Sequence, residues 1–593
     1  MKRNGFVGTM TIVVALTGVL WGAEARANTL TVTSTADGLS GPGCTLRMAV
    51  SAANSGSSNA CGQGTGNNDK IQIGISGSVT IALNPSLGPL QITKSMKIQG
   101  NFNGQAPNYT TVTISTTSGS ILTIPSSATN TLVLQWLRLT GGNAGSGNGG
   151  CLALNGGNEV ALNVVQIDHC SANGGGAIYS NAAGLVVDWS YLHDNNATRG
   201  GAVDLPPNAR ALDAVASRFN NNHATYGGAI YGNNAHISLY ETVLNANSAT
   251  TDGGGLYTTD GDGLLMTNTT FANNSASSGH GGGIYFDGTT GAAYWEVGNI
   301  TVAHNSAGVA GGGLYLVNVN GTVQDGNDIF AYNTAPQGPD VSGNAQFFAA
   351  GPDIITNAAG NTPPGGGWLV TDPQLATLQS IGGLPEVYPL LPNSPAIAAG
   401  QLNTAFDQRG MCRPQLSSAD IGAFEYSPNS NYVITSVNSG MVLDDPGSSR
   451  TAGTQIDQWS LNNGLNQQWQ LLWLPIAGAP VSLVNQASSL MLGVRNGSTA
   501  AGAAVEQETY QFEGSPSQNW TLAPSGVGTG SFTLTNVNSH LLMDVAGASK
   551  TAGALIDQWT SNNNPNQKWT FTVMPTTPLC PAFVSATTFS SPI

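Results

Sequence analysis

The segment 219–231, FNNNHATYGGAIY, contains two signatures that together decide how this chain folds. The first is an apolar residue followed three positions later by Asn, here Phe219 and Asn222. The second is a Gly-Gly pair followed by a small residue, an apolar residue and often Tyr, here Gly227 to Tyr231. Outward from this segment the Gly-Gly signature returns at 149, 175, 200, 253, 281 and 311, at spacings between 25 and 30 residues. The apolar-Asn signature keeps phase with it at Leu192/Asn195, Leu244/Asn247, Phe271/Asn274 and Val302/Asn305, and Ile167/Cys170 and Phe330/Asn333 extend the series. Two independent signatures holding one phase over seven repeats mark a solenoid in which each repeat is one coil.

Apolar runs within a repeat are short, as in Leu185 to Val187, Ile237 to Leu239 and Leu264 to Met266, which suits brief strands joined at corners. No stretch shows sustained 3.6-residue periodicity, so no helix is expected. Gly supplies positive φ and close backbone approach at the corners, and an Asn at the same corner of every coil bonds its counterparts above and below. The expected fold class is all-β: a right-handed parallel β-helix, its hand set by the crossover preference, over residues 28–425. At about 4.8 Å per stacked strand the counted coils span about 30 Å, and the whole region has room for about twice as many.

Composition and chain ends limit the function classes. With 40% apolar and only 8% charged residues, 78 Gly and a net charge of -15, the chain is packed rather than disordered. Lys2 and Arg3, the apolar run from Met10 to Trp21 and Ala25-Arg26-Ala27 make residues 1–27 an expected signal peptide. Its removal leaves 14 basic and 31 acidic side chains, which disfavours nucleic acid and anionic lipid as partners. No later apolar run reaches the roughly 18 residues of a membrane span, residues 575–593 read as a tail without a second anchor, and a monomer is expected. The expected location is the periplasm, the cell surface or the medium. Six cysteines in an exported chain predict disulfides. Proximity suggests Cys44 with Cys61 and Cys151 with Cys170, leaving Cys412 with Cys580, although six cysteines admit fifteen pairings. No C-x-x-C spacing points to a metal.

These repeats resemble those of polymorphic outer-membrane proteins and related bacterial β-helix proteins. Two further segments fit that resemblance. Cys44-Thr45-Leu46-Arg47-Met48-Ala49-Val50 is similar to the CSLREA motif that opens such helices. Phe406-Asp407-Gln408-Arg409-Gly410, through Arg413-Pro414 to Asp420-Ile421-Gly422-Ala423-Phe424-Glu425, is similar to the end of a choice-of-anchor Q domain, with Ala419 where relatives often carry Cys. Neither an autotransporter barrel nor a sorting segment follows, so surface anchoring by those routes is not expected.

Beyond a boundary at 426–431 a second period begins. Asn466-Gln467-Gln468-Trp469, Ser517-Gln518-Asn519-Trp520 and Asn566-Gln567-Lys568-Trp569 place three Trp 51 and 49 residues apart. Three such units build a β-trefoil with the Trp in its core. Residues 431–574 resemble the ricin B-type lectin family with its Q-x-W signature. The resemblance implies sugar pockets built from an acidic residue, an aromatic platform and an Asn-Gln pair. These correspond to Asp444, Asp457, Trp459, Asn466 and Gln467 in the first repeat, and to Asp544, Asp557, Trp559, Asn566 and Gln567 in the third. Charged acceptors and amides suit sugar hydroxyls, and a flat ring suits the C–H face of a pyranose. The middle repeat has Gly493, Glu506, Glu508 and Ser517 at the matching positions and is expected to be scaffold. Two sites on one module bind a polymer with avidity.

The expected function is therefore an exported carbohydrate-binding protein whose partner is a polysaccharide or glycoconjugate, with the β-helix as shaft. The competing expectation is a polysaccharide lyase or glycoside hydrolase with its catalytic centre on the β-helix and the lectin as targeting module. Gly279-His280-Gly281 is similar to a polygalacturonase motif, yet it falls in a repeat corner, and no flanking pair of Asp accompanies it. Asp252, Asp260 and Asp262 could offer hard oxygen ligands to Ca²⁺, but solvated acidic turn residues are the preferred reading. Arg199, Arg210 and Arg218 are the only Lys or Arg between 149 and 333, too few for handling an acidic polymer. No cofactor is expected, and the catalytic residues of an enzyme reading stay unknown.

Overall fold

The computed structural model describes residues 27–574 except 102–111, 208, 260–262, 289–294, 320–322, 345–346, 350, 358–367, 380–384, 392–393, 403, 412, 428–430, 474–479, 510–515 and 527–528. The N-terminal segment 1–26 and the pair Cys412 and Cys580 thus lie outside the described residues, as do Asp260 and Asp262.

The repeat becomes a parallel β-helix, and one coil shows how. After Gly175 and Gly176 the chain runs through Ile178–Ser180, then Gly184–Asp188, turns at Trp189, runs through Tyr191–His193, turns at Asp194 and returns through Asn196–Arg199 to the next Gly pair. Each segment pairs in parallel with its counterpart one coil on, giving one ten-stranded sheet, one six-stranded sheet and a 22-stranded sheet that carries two segments per coil. The inward residues stack by type: Leu192, Phe219, Leu244, Phe271, Val302 and Phe330 fall in one register and are buried.

The two glycines of each signature have different causes. Gly227 sits at φ 63°, a region other residues enter only at a cost. Gly228 lies where a Cβ would run into the carbonyl oxygen of Gly254 one coil away, so only hydrogen fits. The buried Asn form a ladder: Asn195, Asn222, Asn247, Asn274 and Asn305 each donate Nδ2–H to the next Asn Oδ1 at 2.9–3.0 Å, ending with Asn333. Asn333 in turn donates to Asp340 at 2.9 Å, which closes the row. At its other end the row stops at Cys170, whose disulfide to Cys151 joins the Asn corner to the Gly corner of the first regular coils. A second ladder, absent from the sequence reading, runs through the hydroxyls of Ser190, Ser217, Thr242 and Thr269 at the neighbouring corner. Outside, Tyr231, Tyr257, Tyr285 and Tyr315 stack face to face at 4.7–5.6 Å.

A helix over Leu46–Ser55 corrects the expectation of none. Leu46, Ala49, Val50 and Ala53 make one buried stripe, Thr45 caps the first turn by accepting from the Met48 N–H, and Gly56 ends it in the left-handed region. The Cys44–Cys61 disulfide ties this helix to the hairpin of Ser58–Asn59 with Gly62–Gln63. The helix packs on Thr29–Val32 and Asp69–Ile73, so it covers apolar side chains that a further coil would otherwise bury.

Beyond the coil strands, residues 394–426 lie over the outer face of the large sheet, where Ala272, Ala303 and Ala331 leave room. The DQRG and DIGAFE segments hold this cover by buried charge. Arg413 pairs with Glu425 at 3.1 Å and donates to the Asp420 and Gly422 carbonyls, while Arg409 pairs with Asp407 and lies 3.6 Å from the Phe424 ring centroid. Asn268 donates to the Phe406 carbonyl, Thr270 to Gln408 and the Ala423 N–H to Thr301, which fastens the cover to two successive coils.

From Asn431 to Val573 the strands are antiparallel. Asn431–Ser436, Trp469–Trp473, Val481–Asn485, Trp520–Pro524, Phe532–Asn536 and Trp569–Val573 close into a six-stranded barrel, and three hairpins pair with one another at one end. Trp469, Trp520 and Trp569 are fully buried, and their indole N–H groups donate to Leu443, Leu492 and Met543 at 3.1–3.2 Å. Gln379, in the segment before the cover, accepts from the Val573 N–H and donates to the Phe571 carbonyl, which docks the last barrel strand.

Candidate functional site

Each hairpin of the trefoil has the same plan. In the first repeat Val442–Asp444 pairs antiparallel with Asp457–Trp459, which sets Asp444 opposite Asp457 and Val442 opposite Trp459. In the third repeat the same register sets Asp544 opposite Asp557 and Leu542 opposite Trp559. The two acids of each of these repeats lie thirteen positions apart in the sequence, and the hairpin returns the second to face the first.

A short 3-10 turn, Leu465–Gln467, delivers the amides beneath Asp444. Asn466 Nδ2 donates to Asp444 Oδ1 at 2.8 Å and Gln467 Nε2 at 2.7 Å. Gln467 is itself fixed, donating to the Ser460 carbonyl at 3.0 Å and accepting from the Asn462 N–H at 2.7 Å. In the third repeat Pro565–Gln567 plays this part: Asn566 donates to Asp544 Oδ2 at 2.7 Å, and Gln567 donates to the Thr560 carbonyl at 2.9 Å. Trp459 and Trp559, by contrast with the three core indoles, are 46% and 44% exposed. An open indole beside a carboxylate clamped by amides is a surface that presents one apolar plane and one charged acceptor. The structure brings together all five residues assigned to each of the two repeats.

The electrostatics are unusual. Burial pushes Asp457 up to about 7, aided by the charge of Asp444 and a hydrogen bond with it. Asp557 is pushed up to about 7 by burial and by Asp544. Burial also raises Asp444 and Asp544, opposed by their amide partners. Among the described residues Asp457 Oδ1 and Asp557 Oδ1 are buried and accept no hydrogen bond. Asp445, not singled out in the sequence, adds a further acid in the first repeat and is pushed up to about 6 by burial and Asp444.

The middle repeat shows what an occupied version looks like. Gly493 faces Glu506, whose carboxylate is taken by Arg495. Glu508 fills the space over Gly493 and accepts from Gln518 at 3.0 Å. Its groups are bonded to one another. Gln458, Gln507 and Gln558, one residue beyond each second acid, are buried and each donates to two carbonyls of the adjoining repeat's turn, so they join repeats rather than bind.

On the β-helix, His280 is a corner residue: its N–H donates to Asp252 Oδ1 at 2.8 Å and its ring packs on Tyr315. Asp252 is therefore bonded within the corner. A polar group on the shaft, missed in the sequence, is Arg138, Asp168, His169 and His193 on the large sheet. Burial raises Asp168, but hydrogen bonds from Arg138, Thr140 and His169 outweigh it and leave the carboxyl lowered. A carboxylate so saturated is an anchor for its neighbours rather than a proton donor. No group of three His, Cys, Asp or Glu side chains suited to a metal ion occurs among the described residues.

With this geometry in view, the comparisons with known proteins fall on both halves. The family described as ricin-type β-trefoil lectin domain-like matches residues 423–508 and 516–579. The C-terminal trefoil is a ricin-type lectin-like domain. The repeat of the Chlamydia polymorphic membrane protein matches residues 216–233 and 268–287 of the β-helix. Among solved structures, a designed threefold-symmetric protein, ThreeFoil, is 33% identical over 24% of this chain and 96% of its own, with a TM-score of 0.22. An exo-β-1,3-galactanase from Clostridium thermocellum is 30% identical over 26% of this chain and 33% of its own, with a TM-score of 0.23. The Rhizoctonia solani agglutinin is 23% identical over 25% of this chain and 98% of its own, with a TM-score of 0.22. No curated protein matches the chain in sequence. No helix among the described residues is long and apolar enough to cross a membrane.

Proposed function

We propose that this chain is an exported glycan-binding protein whose lectin-like domain takes sugar at its first and third repeats, with the β-helix serving as the shaft that displays it. The observation that carries this reading is the pairing, in those two repeats, of an exposed indole with a carboxylate already oriented by amides. The middle repeat keeps the same scaffold but spends its polar groups on one another. The family match to the lectin-like domain supports carbohydrate as the ligand class. Two disulfides and the N-terminal pattern of residues 1–27 favour export. Two sites on one rigid module favour a polymer or a clustered glycoconjugate, because the second contact forms at high effective concentration.

The test uses the full chain on a glycan array, beside a Trp459→Ala plus Trp559→Ala variant and an Asp444→Ala plus Asp544→Ala variant. The exposed indoles can be removed without opening the core, so the first variant separates binding from folding. Binding lost in both variants is the expected result. Undiminished binding in the Trp variant would sink the site assignment.

A further inference from the structure

We propose that the first and third sites select uncharged sugars through a carboxyl–carboxylate pair holding one proton, Asp444 with Asp457 and Asp544 with Asp557, and that binding requires this proton. The proposal rests on reading those repeats as glycan sites. Its first ground is register: in both hairpins the two acids face each other directly across neighbouring strands. Two partly buried carboxylates facing each other across neighbouring strands do not both stay ionised unless a cation compensates them.

Among the described residues no cation is paired with either acid of these two pairs. Asp457 faces Asp444 and Asp445 across the strands, with the Asn466 and Gln467 amides below Asp444. Leu555 stands opposite it on the other flank, and beside it runs the 549–553 turn, whose Lys550 is exposed and forms no ion pair. Asp557 faces Asp544, the Asn566 and Gln567 amides, Ala504 on the other flank, and the uncharged 498–502 turn against Trp559. The middle repeat is the control built into the fold: its acid in the same slot, Glu506, has Arg495.

The proton's place follows from the donors. Asp444 Oδ1 already accepts from two amides, which stabilises the negative charge there, whereas Asp457 receives no N–H at all among the described residues. Asp457 is therefore the acid that keeps the proton and donates it to Asp444, and in the third repeat the proton stays on Asp557, which burial and the charge of Asp544 push up. The shared proton holds the first acid's remaining lone pairs towards the ligand. Its loss sets two like charges against each other at the floor of the site. A uronate, sulfate or sialate would add a third negative charge with nothing to neutralise it. Neutral sugars, whose hydroxyls donate to the carboxylate and whose C–H face lies on the indole, meet no such cost.

The decisive experiment measures full-length protein on an immobilised panel of neutral oligosaccharides and their sialylated, sulfated and uronate counterparts, from about pH 5 to about pH 9. Neutral glycans are expected to bind, with affinity falling by up to about tenfold per pH unit above the midpoint of the pair. Anionic counterparts are expected to bind at least about tenfold more weakly. An Asp457→Asn plus Asp557→Asn variant keeps the shape but cannot ionise, and its profile is expected to be flat above neutrality. Should that variant misfold, the carboxyl carbon resonances of Asp in the wild-type chain report the same titration, expected near 7 for Asp457 and Asp557. A pH profile unchanged in the Asn variant, titration of both acids below about 5, or equal binding of anionic glycans would each overturn the proton-pair proposal while leaving the glycan reading standing. Absence of binding to every glycan at every pH would overturn the glycan reading and this one with it.

Discussion

Replacing Asn247 by Ala tests whether the β-helix is held by its internal amide row or only by its apolar stacks. Asn247 is buried; its Oδ1 accepts from the main-chain N–H of Asn222 at 3.0 Å and from Asn222 Nδ2 at 3.0 Å. Its own Nδ2 donates to the Phe219 carbonyl at 2.8 Å and to Asn274 Oδ1 at 2.9 Å. The two acceptors retain other partners, because the Asn247 main-chain N–H still reaches Asn274 Oδ1 and the Phe219 carbonyl lies within the sheet. On Asn222 the main-chain N–H and one of the two amide N–H groups lose their acceptor, while the amide's other N–H keeps the Leu192 carbonyl. Two buried N–H groups left unbonded, at about 1–3 kcal/mol each, predict a loss of about 4 kcal/mol. The matched control is Asn273→Gly: Asn273 is exposed at the adjoining corner, sits at φ 54° and makes side-chain bonds to Asn245 and Tyr388, so the change is expected to stay within about 2 kcal/mol. Since a solenoid unfolds by neighbouring units, denaturant unfolding is to be read together with amide exchange in the coils on either side. Asn247→Ala no more damaging than Asn273→Gly would refute the idea that the row bears load.

Three further perturbations separate other causes. Gly228→Ala drives a Cβ into the Gly254 carbonyl and Ser248 main chain and is expected to cost more than about 3 kcal/mol, while Gly447→Ala, strained at φ 66° but facing open space, is expected to cost about 1 kcal/mol; soluble yield and unfolding midpoints compare them. Cys151→Ser with Cys170→Ser opens a loop of 19 residues and is expected to lower stability of the first coils by about 3 kcal/mol, read as faster amide exchange there, with reductant having no further effect at that site. Folded Asp457 and Asp557 titrate near 7 against about 3.9 unfolded, so between those values the folded state binds more protons and stability falls as pH rises. Each shift is worth at most about 4 kcal/mol, and about half that once solvent access is allowed for. A trefoil unfolding midpoint that rises from about pH 4.5 to about pH 8, or falls equally in the Asn double variant, would contradict this.

How much of this was legible in the sequence depends on whether a residue's cause is local or repeated. The ladder from Asn195 to Asn333 was readable because every coil repeats one need at one position, so phase alone exposes it. The hydroxyl row of Ser190, Ser217, Thr242 and Thr269 meets a similar need, yet Ser and Thr alternate and no fixed letter recurs. The helix at Leu46–Ser55 carries its own signals, with Thr45 before it, Gly56 after it and apolar residues at 46, 49, 50 and 53; in ten residues the stripe is too short to stand out from a strand-rich background. The cover could not be foreseen, because Arg413 finds Glu425 and Thr301 finds Ala423 only once the solenoid face exists to be covered.

In the trefoil, three copies of one unit let packing be told from binding within a single sequence. Positions fixed by the core recur in all three: Trp469, Trp520 and Trp569, with Gln458, Gln507 and Gln558. The acid, indole and amide positions that the proposed reading assigns to a ligand are kept in two and replaced in one. What the letters did not disclose is the state of the paired acids, since Asp457 and Glu506 look alike until the hairpins close. Then Glu506 meets Arg495, whereas Asp457 meets another carboxyl. Elsewhere in the chain a buried carboxylate that ends a structural row is saturated: Asp340 accepts from the Asn333 N–H and amide, the Thr356 hydroxyl and the Asn357 N–H. The same backbone that could fill Asp340 leaves an oxygen of Asp457 and of Asp557 without a donor, at the foot of an exposed indole, in both repeats that keep the indole. Asp204 Oδ1 and Asp353 Oδ2 on the β-helix also accept no hydrogen bond among the described residues, so what sets the first and third repeats apart is that such an oxygen occurs together with an exposed indole.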